Sequence, residues 1–186
     1  MKLYKIKKLA EANKASLIVR KNGKAVLYTN YFAMLIDVDV PGDFDKTLKI
    51  DYPGVDPYTF KAARHKIMGS QRGVTFIKVS VNALLAQVYS LANTFEHVTL
   101  STHGIRTAIS ASNVRSGYSG QLSVLSSGEN NKVMLNVRRL LAAGELAAAI
   151  GADILTLTVR DGQSSVGVKL DGFNVYMALA ITREVK

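Results

Sequence analysis

A chain of 186 residues with 48% hydrophobic and 20% charged residues has the composition of a globular protein and is long enough to bury a core. It contains no cysteine, which excludes disulfides and zinc–thiolate sites, and no apolar run approaches the ~20 residues that cross a bilayer. A net charge of +10 suggests a polyanionic partner, although a basic surface that only aids solubility would give the same charge. We therefore expect a cytoplasmic protein without a membrane segment.

The chain begins with a helical pattern followed by strands. Apolar residues recur at helical spacing and the polar Asn13 ends the pattern; they are Leu3, Ile6, Leu9 and Ala10. Strands are expected at 16–20, 25–29 and 32–38, with a turn at Asn22-Gly23. Residues 1–45 therefore resemble one helix-plus-three-strand unit.

The next segment, residues 46–73, is expected to connect this unit to the rest of the chain. Pro53, Gly54 and Pro57 interrupt regular structure, and residues 58–68 could form a short helix. The aspartates between Asp37 and Asp51 lack the spacing of a calcium loop and fit an edge strand protected by charge.

Residues 74–186 contain an internal repeat. Lys78–Asn82 and Lys132–Asn136 each have the pattern of a strand that ends at a polar helix cap. A helical pattern follows each of them. Three strands come next, expected at 97–101, 105–111 and 120–125 in one copy and at 154–159, 164–170 and 174–182 in the other. Polar loops or hairpin turns are expected at 116–120 and 126–131, and a turn at Asp161-Gly162.

These patterns predict an α+β fold of repeated units, each a helix followed by a β-meander, with the helices on one face of the sheets. The expected organisation is a single unit, which is half of a two-unit domain, at 1–45, a connecting segment at 46–73 and a complete two-unit domain at 74–186. Chance agreement between generic α+β patterns is the alternative explanation of the repeat.

One stretch carries a family resemblance. Residues 135–141, Leu-Asn-Val-Arg-Arg-Leu-Leu, resemble the phenylalanine-asparagine-x-arginine-tyrosine-leucine-leucine pattern in the last domain of the bacterial sliding clamp, the β subunit of DNA polymerase III. Residues 150–157 and 176–182 are similar to the helix end and the final strand of that domain. The chain departs from the family in length, about half, and in Ala180 and Thr182, which stand where proline and arginine are usual.

The resemblance implies that helices line a ring and present cations to a DNA backbone. Lys5 and Lys8 in the first helix, and Arg138 and Arg139 in a later one, would then contact phosphates, in a salt-sensitive manner that is independent of sequence. The alternative for each is a solvated helix face.

The resemblance also implies a groove for partner peptides. Met177, Leu179 and Ile181 would line it, on one face of the final strand. Ordinary core positions are the alternative for at least two of these residues.

No enzyme signature accompanies these features. His65, His97 and His103 have no acid at the spacing of a metal site or a catalytic triad, and the sequence has no phosphate-binding glycine loop. We expect no cofactor, no metal and no catalytic residue. A single-strand binder that uses Tyr4, Tyr28, Tyr31 and Phe32 is a lesser possibility.

Two functions therefore stay open. The first is a clamp, from a phage, mobile element or bacterium, that encircles duplex DNA and tethers a DNA polymerase or another replication or repair protein. The second is a clamp-fold DNA-binding or protein-interaction module, such as a phage regulator, that forms no ring. Rings of the family close with twelve units, so a chain with three units would need a homotetramer; a dimer is the alternative.

Overall fold

The structure, a computed structural model, describes residues 1–123, 125–160 and 165–182. Its helices are α1 (Leu3–Ala12), α2 (Phe60–Ser70), α3 (Val81–Ala92) and α4 (Val137–Ile150). Its strands are β1 (Ser16–Val19), β2 (Lys24–Tyr28), β3 (Phe32–Asp37), β4 (Leu48–Ile50), β5 (Thr75–Ser80), β6 (His97–His103), β7 (Arg106–Ser112), β8 (Gly117–Ser123), β9 (Leu125–Gly128), β10 (Lys132–Asn136), β11 (Ile154–Val159), β12 (Val166–Leu170) and β13 (Val175–Leu179).

The strands form two antiparallel sheets in which the two repeats are interlocked. The larger sheet has the order β4-β1-β2-β3-β13-β12-β11-β5-β9, and the smaller has the order β10-β6-β7-β8. Strand β5, which precedes α3, pairs with β11, which follows α4; strand β10, which precedes α4, pairs with β6, which follows α3. Each repeat therefore completes the sheet of the other, and the predicted α+β architecture of helices followed by β-meanders is confirmed.

Local capping explains where the two repeat helices begin. The Asn136 side chain accepts a hydrogen bond from the Arg138 backbone N–H at 3.1 Å, as the sequence predicts for α4. In the other repeat the cap is Ser80, whose hydroxyl faces the Ala83 N–H at 3.5 Å, so the prediction of Asn82 was wrong. Serine and asparagine are both good helix caps. The pairing of β5 with β11 continues up to Ser80, so Ser80 rather than Asn82 is the residue from which α3 begins.

The main core lies between the sheets and α1, α3 and α4. Ile6, Leu84 and Leu140, one from each helix, have no exposed surface. A second, smaller core lies on the opposite face of the larger sheet, where Phe60 and Ile67 of α2 pack against β2, β3 and β13. Three helices thus share one face, and α2, the helix predicted in the connecting segment, covers part of the other.

Strands extend into two segments that the sequence predicted as loops. Strand β8 begins at Gly117, and β9 includes residues 126–128, because these residues pair with β7 and β5. Pairing with distant strands is not visible in local polarity, which explains the error. The predicted turn at Asp161-Gly162 lies outside the described residues.

Strand β4 covers the edge of β1. The three residues of β4 pair with Leu17, Ile18 and Val19 of β1. Strand β4 therefore has the position beside β1 that β5 has beside β11. The connecting segment thereby supplies a short strand to the N-terminal unit. No helix within the described residues is both long and apolar enough to cross a membrane.

Candidate nucleic-acid interface

The exposed sides of α1, α3 and α4 form one continuous candidate surface, because all three helices lie on the same face of the sheets. Lys5 and Lys8 are exposed on α1, while Ile6 and Ala10 of the same helix are buried in the main core. This division follows from helical spacing, which separates residues one or two positions apart onto different sides of the helix. Both predicted lysines are accessible to a polyanion.

The two adjacent arginines of α4 have different environments. Arg138 is exposed in the first turn. The guanidinium carbon of Arg139 lies 4.5 Å from the centroid of the Tyr31 ring, and its Nη1 donates a hydrogen bond to the Ala180 carbonyl at 3.2 Å. Arg139 therefore connects α4 to the turn between β2 and β3 and to the residue after β13. Of the pair, only Arg138 is presented freely to solvent.

The N-terminal end of α1 and the C-terminal end of α4 border a cleft of about 600 Å³. Lys2 and Lys5 lie on one side of this cleft and Ala149 and Ile150 on the other. Lys5 of α1 is thus close to the C-terminal end of α4, although the two helices are far apart in sequence.

The exposed side of α3 has no charged residue. Its Tyr89 hydroxyl donates a hydrogen bond of 2.7 Å to Glu145 on α4. This hydrogen bond is the main reason that the pKa of Tyr89 is raised above its ordinary value of 10.0. Positive charge on the helix-bearing face is therefore concentrated on α1 and at the start of α4, and is not spread evenly over the three helices.

The residues predicted to line a peptide groove lie at different depths. Met177 and Leu179 point into the main core and are 0% and 1% exposed. Ile181 is half-buried and forms an isolated bridge with Leu135 of β10. A peptide could reach Ile181 in this conformation, but not the other two side chains.

Tyr31 is a residue whose role the sequence did not reveal. The sequence presented it as one of several aromatics in a possible base-stacking set, but its ring is occupied by Arg139. No local pattern signals this contact, because the two residues are more than a hundred positions apart.

The Arg139 contact gives a testable expectation. Arg139→Ala should lower the free energy of unfolding by about 1–2 kcal/mol, because it removes a cation–π contact and a charge-assisted hydrogen bond. Arg138→Ala, the matched control, should change it by less than about 0.5 kcal/mol, since Arg138 is exposed. Urea denaturation of both variants measures the difference, and equal effects would contradict this role for Arg139.

The histidines form no metal site among the described residues. No group of three histidine or acidic side chains that could hold a metal is found in that part of the chain. His65 and His103 are exposed, and His97 Nε2 lies 3.7 Å from the neighbouring Glu96 carboxylate.

Comparison with known proteins gives a consistent result at the level of fold. No protein-family model matches the sequence, and no curated protein sequence matches it. Among solved structures, the chain is similar to the DNA polymerase III β subunit of Pseudomonas aeruginosa, with 14% identity and a TM-score of 0.70, over 91% of this chain and 58% of that one. It is also similar to the DNA polymerase sliding clamp of Bacillus subtilis, with 10% identity and a TM-score of 0.72, over 96% and 58% of the two chains.

The Caulobacter crescentus DNA polymerase III β subunit gives a TM-score of 0.70 at 12% identity, over 96% of this chain and 65% of that one. The chain therefore spans about three fifths of the length of these proteins. The interlocked repeats, the three helices on one face and these superpositions together show that the chain has the fold of the bacterial DNA polymerase sliding clamps.

Proposed function

We propose that the chain is a sliding-clamp-like protein without enzymatic activity, which binds duplex DNA irrespective of sequence and tethers a DNA polymerase or another replication or repair protein. The observation that carries the proposal is the exposure of Lys5, Lys8 and Arg138 on the helix-bearing face of a clamp fold. Cations on one rigid face can neutralise phosphates without contacting base edges, so the binding they support is not sequence-specific.

The position of β8 at the end of the smaller sheet supports assembly of several copies. Strands β8 and β13 are the third strands after the helices of the two repeats; β13 pairs with β3, whereas β8 pairs only with β7 within the described residues. Natural edge strands are usually protected by charges or proline, and β8 contains neither. Pairing of this edge with another copy would extend the sheet across the subunit boundary, in a dimer or a tetramer.

One observation favours the second candidate, a clamp-fold module that forms no ring. Strand β4 already occupies the edge of β1, so this end of the larger sheet is less open to another copy than β8 is. If β8 were the edge through which copies associate, they would form pairs and leave an open arc.

Topological trapping separates these candidates. The protein is bound to a nicked circular duplex, washed at high salt, and the DNA is then cut with a restriction enzyme. A ring should stay on the circle at high salt and leave when the circle is opened. A module without a ring should dissociate from circular and linear DNA alike as salt rises, since its contacts are electrostatic.

The binding surface itself is tested by replacing Lys5, Lys8 and Arg138 with alanine together. If each contacts one phosphate, the slope of log Kd against log salt should decrease by about 2.7, at about 0.9 for each contact. The loss should be the same on unrelated duplex sequences. Unchanged affinity, or strong preference for one sequence, would contradict the proposal.

A further inference from the structure

The face of the molecule opposite the helix-bearing face carries a second group of basic residues. The group, which we call the α2 basic surface, consists of Lys61, Arg64 and His65 of α2, Arg72 just after α2, and Arg20 just after β1; all five are exposed. Helix α2 itself contains no acidic residue. The surface therefore carries the positive charges of two lysine or arginine side chains on α2 and of Arg20 and Arg72 beside it.

Two adjoining depressions give this surface its shape. One, of about 460 Å³, is bordered by Arg20, Asn22, Lys24 and Phe60; the other, of about 700 Å³, is bordered by Thr59, His65, Met68 and Arg72. Lys61 and Arg64 border both and form the ridge between them. Each depression is thus flanked by cations on two sides.

Few of these cations are neutralised by the protein itself. Lys24 forms a 2.6 Å salt bridge with Asp37, but in the described ranges no carboxylate forms a salt bridge with Arg20, Lys61, Arg64 or Arg72. Like charges held close together repel one another, and an anionic ligand would relieve that repulsion. The surface is therefore complementary to an anion that can contact several cations at once.

This surface cannot contact a duplex held against the opposite face. Phe60, Ala63 and Ile67 of α2 pack on the side of the larger sheet that faces away from α1 and α4. The sheet therefore lies between the α2 basic surface and Lys5, Lys8 and Arg138, so both surfaces can be occupied simultaneously by different partners.

The local chemistry is less suited to a single-stranded nucleic acid than to an acidic polypeptide. Bases of a single strand need open aromatic rings, but Arg20 covers Phe60 at 4.4 Å from its centroid, and Lys66 lies 5.5 Å from the Tyr58 centroid. Arginine side chains bind carboxylates in paired geometry, and the carbon atoms of Met68 can contact the methylenes of a bound chain.

We propose that the α2 basic surface is a docking site for an acidic segment of a partner protein, separate from the surface that binds duplex DNA. Carboxylates of that segment lie in the two depressions and pair with the ridge residues Lys61 and Arg64 and with Arg72. A partner held there is on the outside of the molecule while the helix-bearing face is occupied by DNA.

The test compares two variants with the same change in charge. One carries Lys61→Glu, Arg64→Glu and Arg72→Glu; the matched control carries Lys5→Glu, Lys8→Glu and Arg138→Glu on the other face. Binding of a fluorescein-labelled oligoglutamate peptide and of a labelled duplex is followed by anisotropy at physiological salt, with thermal melts to verify that both variants are folded. We expect the first variant to lose at least about tenfold in peptide affinity, the sum of three exposed ion pairs, and to keep most duplex affinity.

The control variant should show the reverse, and excess unlabelled duplex should not displace the peptide from the unmodified protein. Equal loss of peptide binding in both variants would overturn the proposal, because it would show attraction to net charge alone. Displacement of the peptide by duplex, together with duplex binding that depends on Lys61, Arg64 and Arg72, would also overturn it and assign the surface to nucleic acid. If the first variant retains full peptide binding, the proposal is equally excluded.

Discussion

Replacing Leu140 with aspartate should unfold the protein or lower its free energy of unfolding by about 4 kcal/mol or more. Leu140 lies in the middle of the apolar side of α4 and has no exposed surface. The substitution removes a buried apolar side chain and places an unpaired carboxylate in the main core. This cost is a large part of the whole free energy of unfolding of a typical protein, which is about 5–15 kcal/mol.

Ala148→Asp is the matched control, because Ala148 lies on the same helix and is exposed. Its cost should be below about 1 kcal/mol, mainly from an anion near the C-terminal end of the helix dipole. Circular dichroism melts and urea denaturation of the two variants measure the effect. Similar melting of Leu140→Asp and the unmodified protein would mean that the buried side of α4 has been misassigned.

Adding a single methyl group at Gly167 should release α2 from the larger sheet. A Cβ atom at Gly167 in β12 would clash with the Ser70 carbonyl oxygen, at the end of α2, so the two backbones would have to separate. The same close approach positions Gln71, whose Nε2 donates a hydrogen bond of 2.8 Å to the Met177 carbonyl. Gly167→Ala should therefore cost about 1–3 kcal/mol by overpacking.

Gly69→Ala is the control, and it should raise the stability of the protein instead of lowering it. A Cβ atom at Gly69 would meet no atom within 4 Å, and alanine in place of a glycine inside a helix stabilises it by about 0.5–1 kcal/mol. Hydrogen exchange should show that Gly167→Ala weakens protection of the α2 amides while those of α3 and α4 remain protected. Uniform loss of protection over all helices, or none, would indicate that the α2 contact is not where the methyl group acts. Gly167→Ala should also weaken peptide binding at the α2 basic surface.

Several elements could be predicted from sequence because their signals are local. Helix α4 has an apolar stripe at helical spacing, a capping Asn136 and a terminal Gly151 with a φ of +85°, a conformation that favours glycine. The repetition of strand, helix and strands in residues 74–182 was visible for the same reason. These local features predict the repeated units of a helix and a β-meander, and the resemblance of residues 135–141 to the clamp pattern adds the family.

The site was less predictable, because neighbouring residues can have different roles. Arg138 and Arg139 are adjacent and chemically identical, but the angle between them on α4 leaves one in solvent and turns the other towards Tyr31. Alternation in β13 correctly places Met177 and Leu179 on one face of the strand, but alternation alone does not say which face meets the helices.

The sequence by itself determined the helices and most strands, the excess of positive charge and the repeat, since each depends on residues within a few positions of one another. Only the tertiary structure decided that β5 and β10 exchange between the repeats, that β4 covers the edge of β1, and that α2 lies on the face opposite the other helices. These outcomes depend on pairing and packing between residues that are distant in sequence. These arrangements are stabilised by burial of the two cores, to which residues from distant parts of the chain contribute.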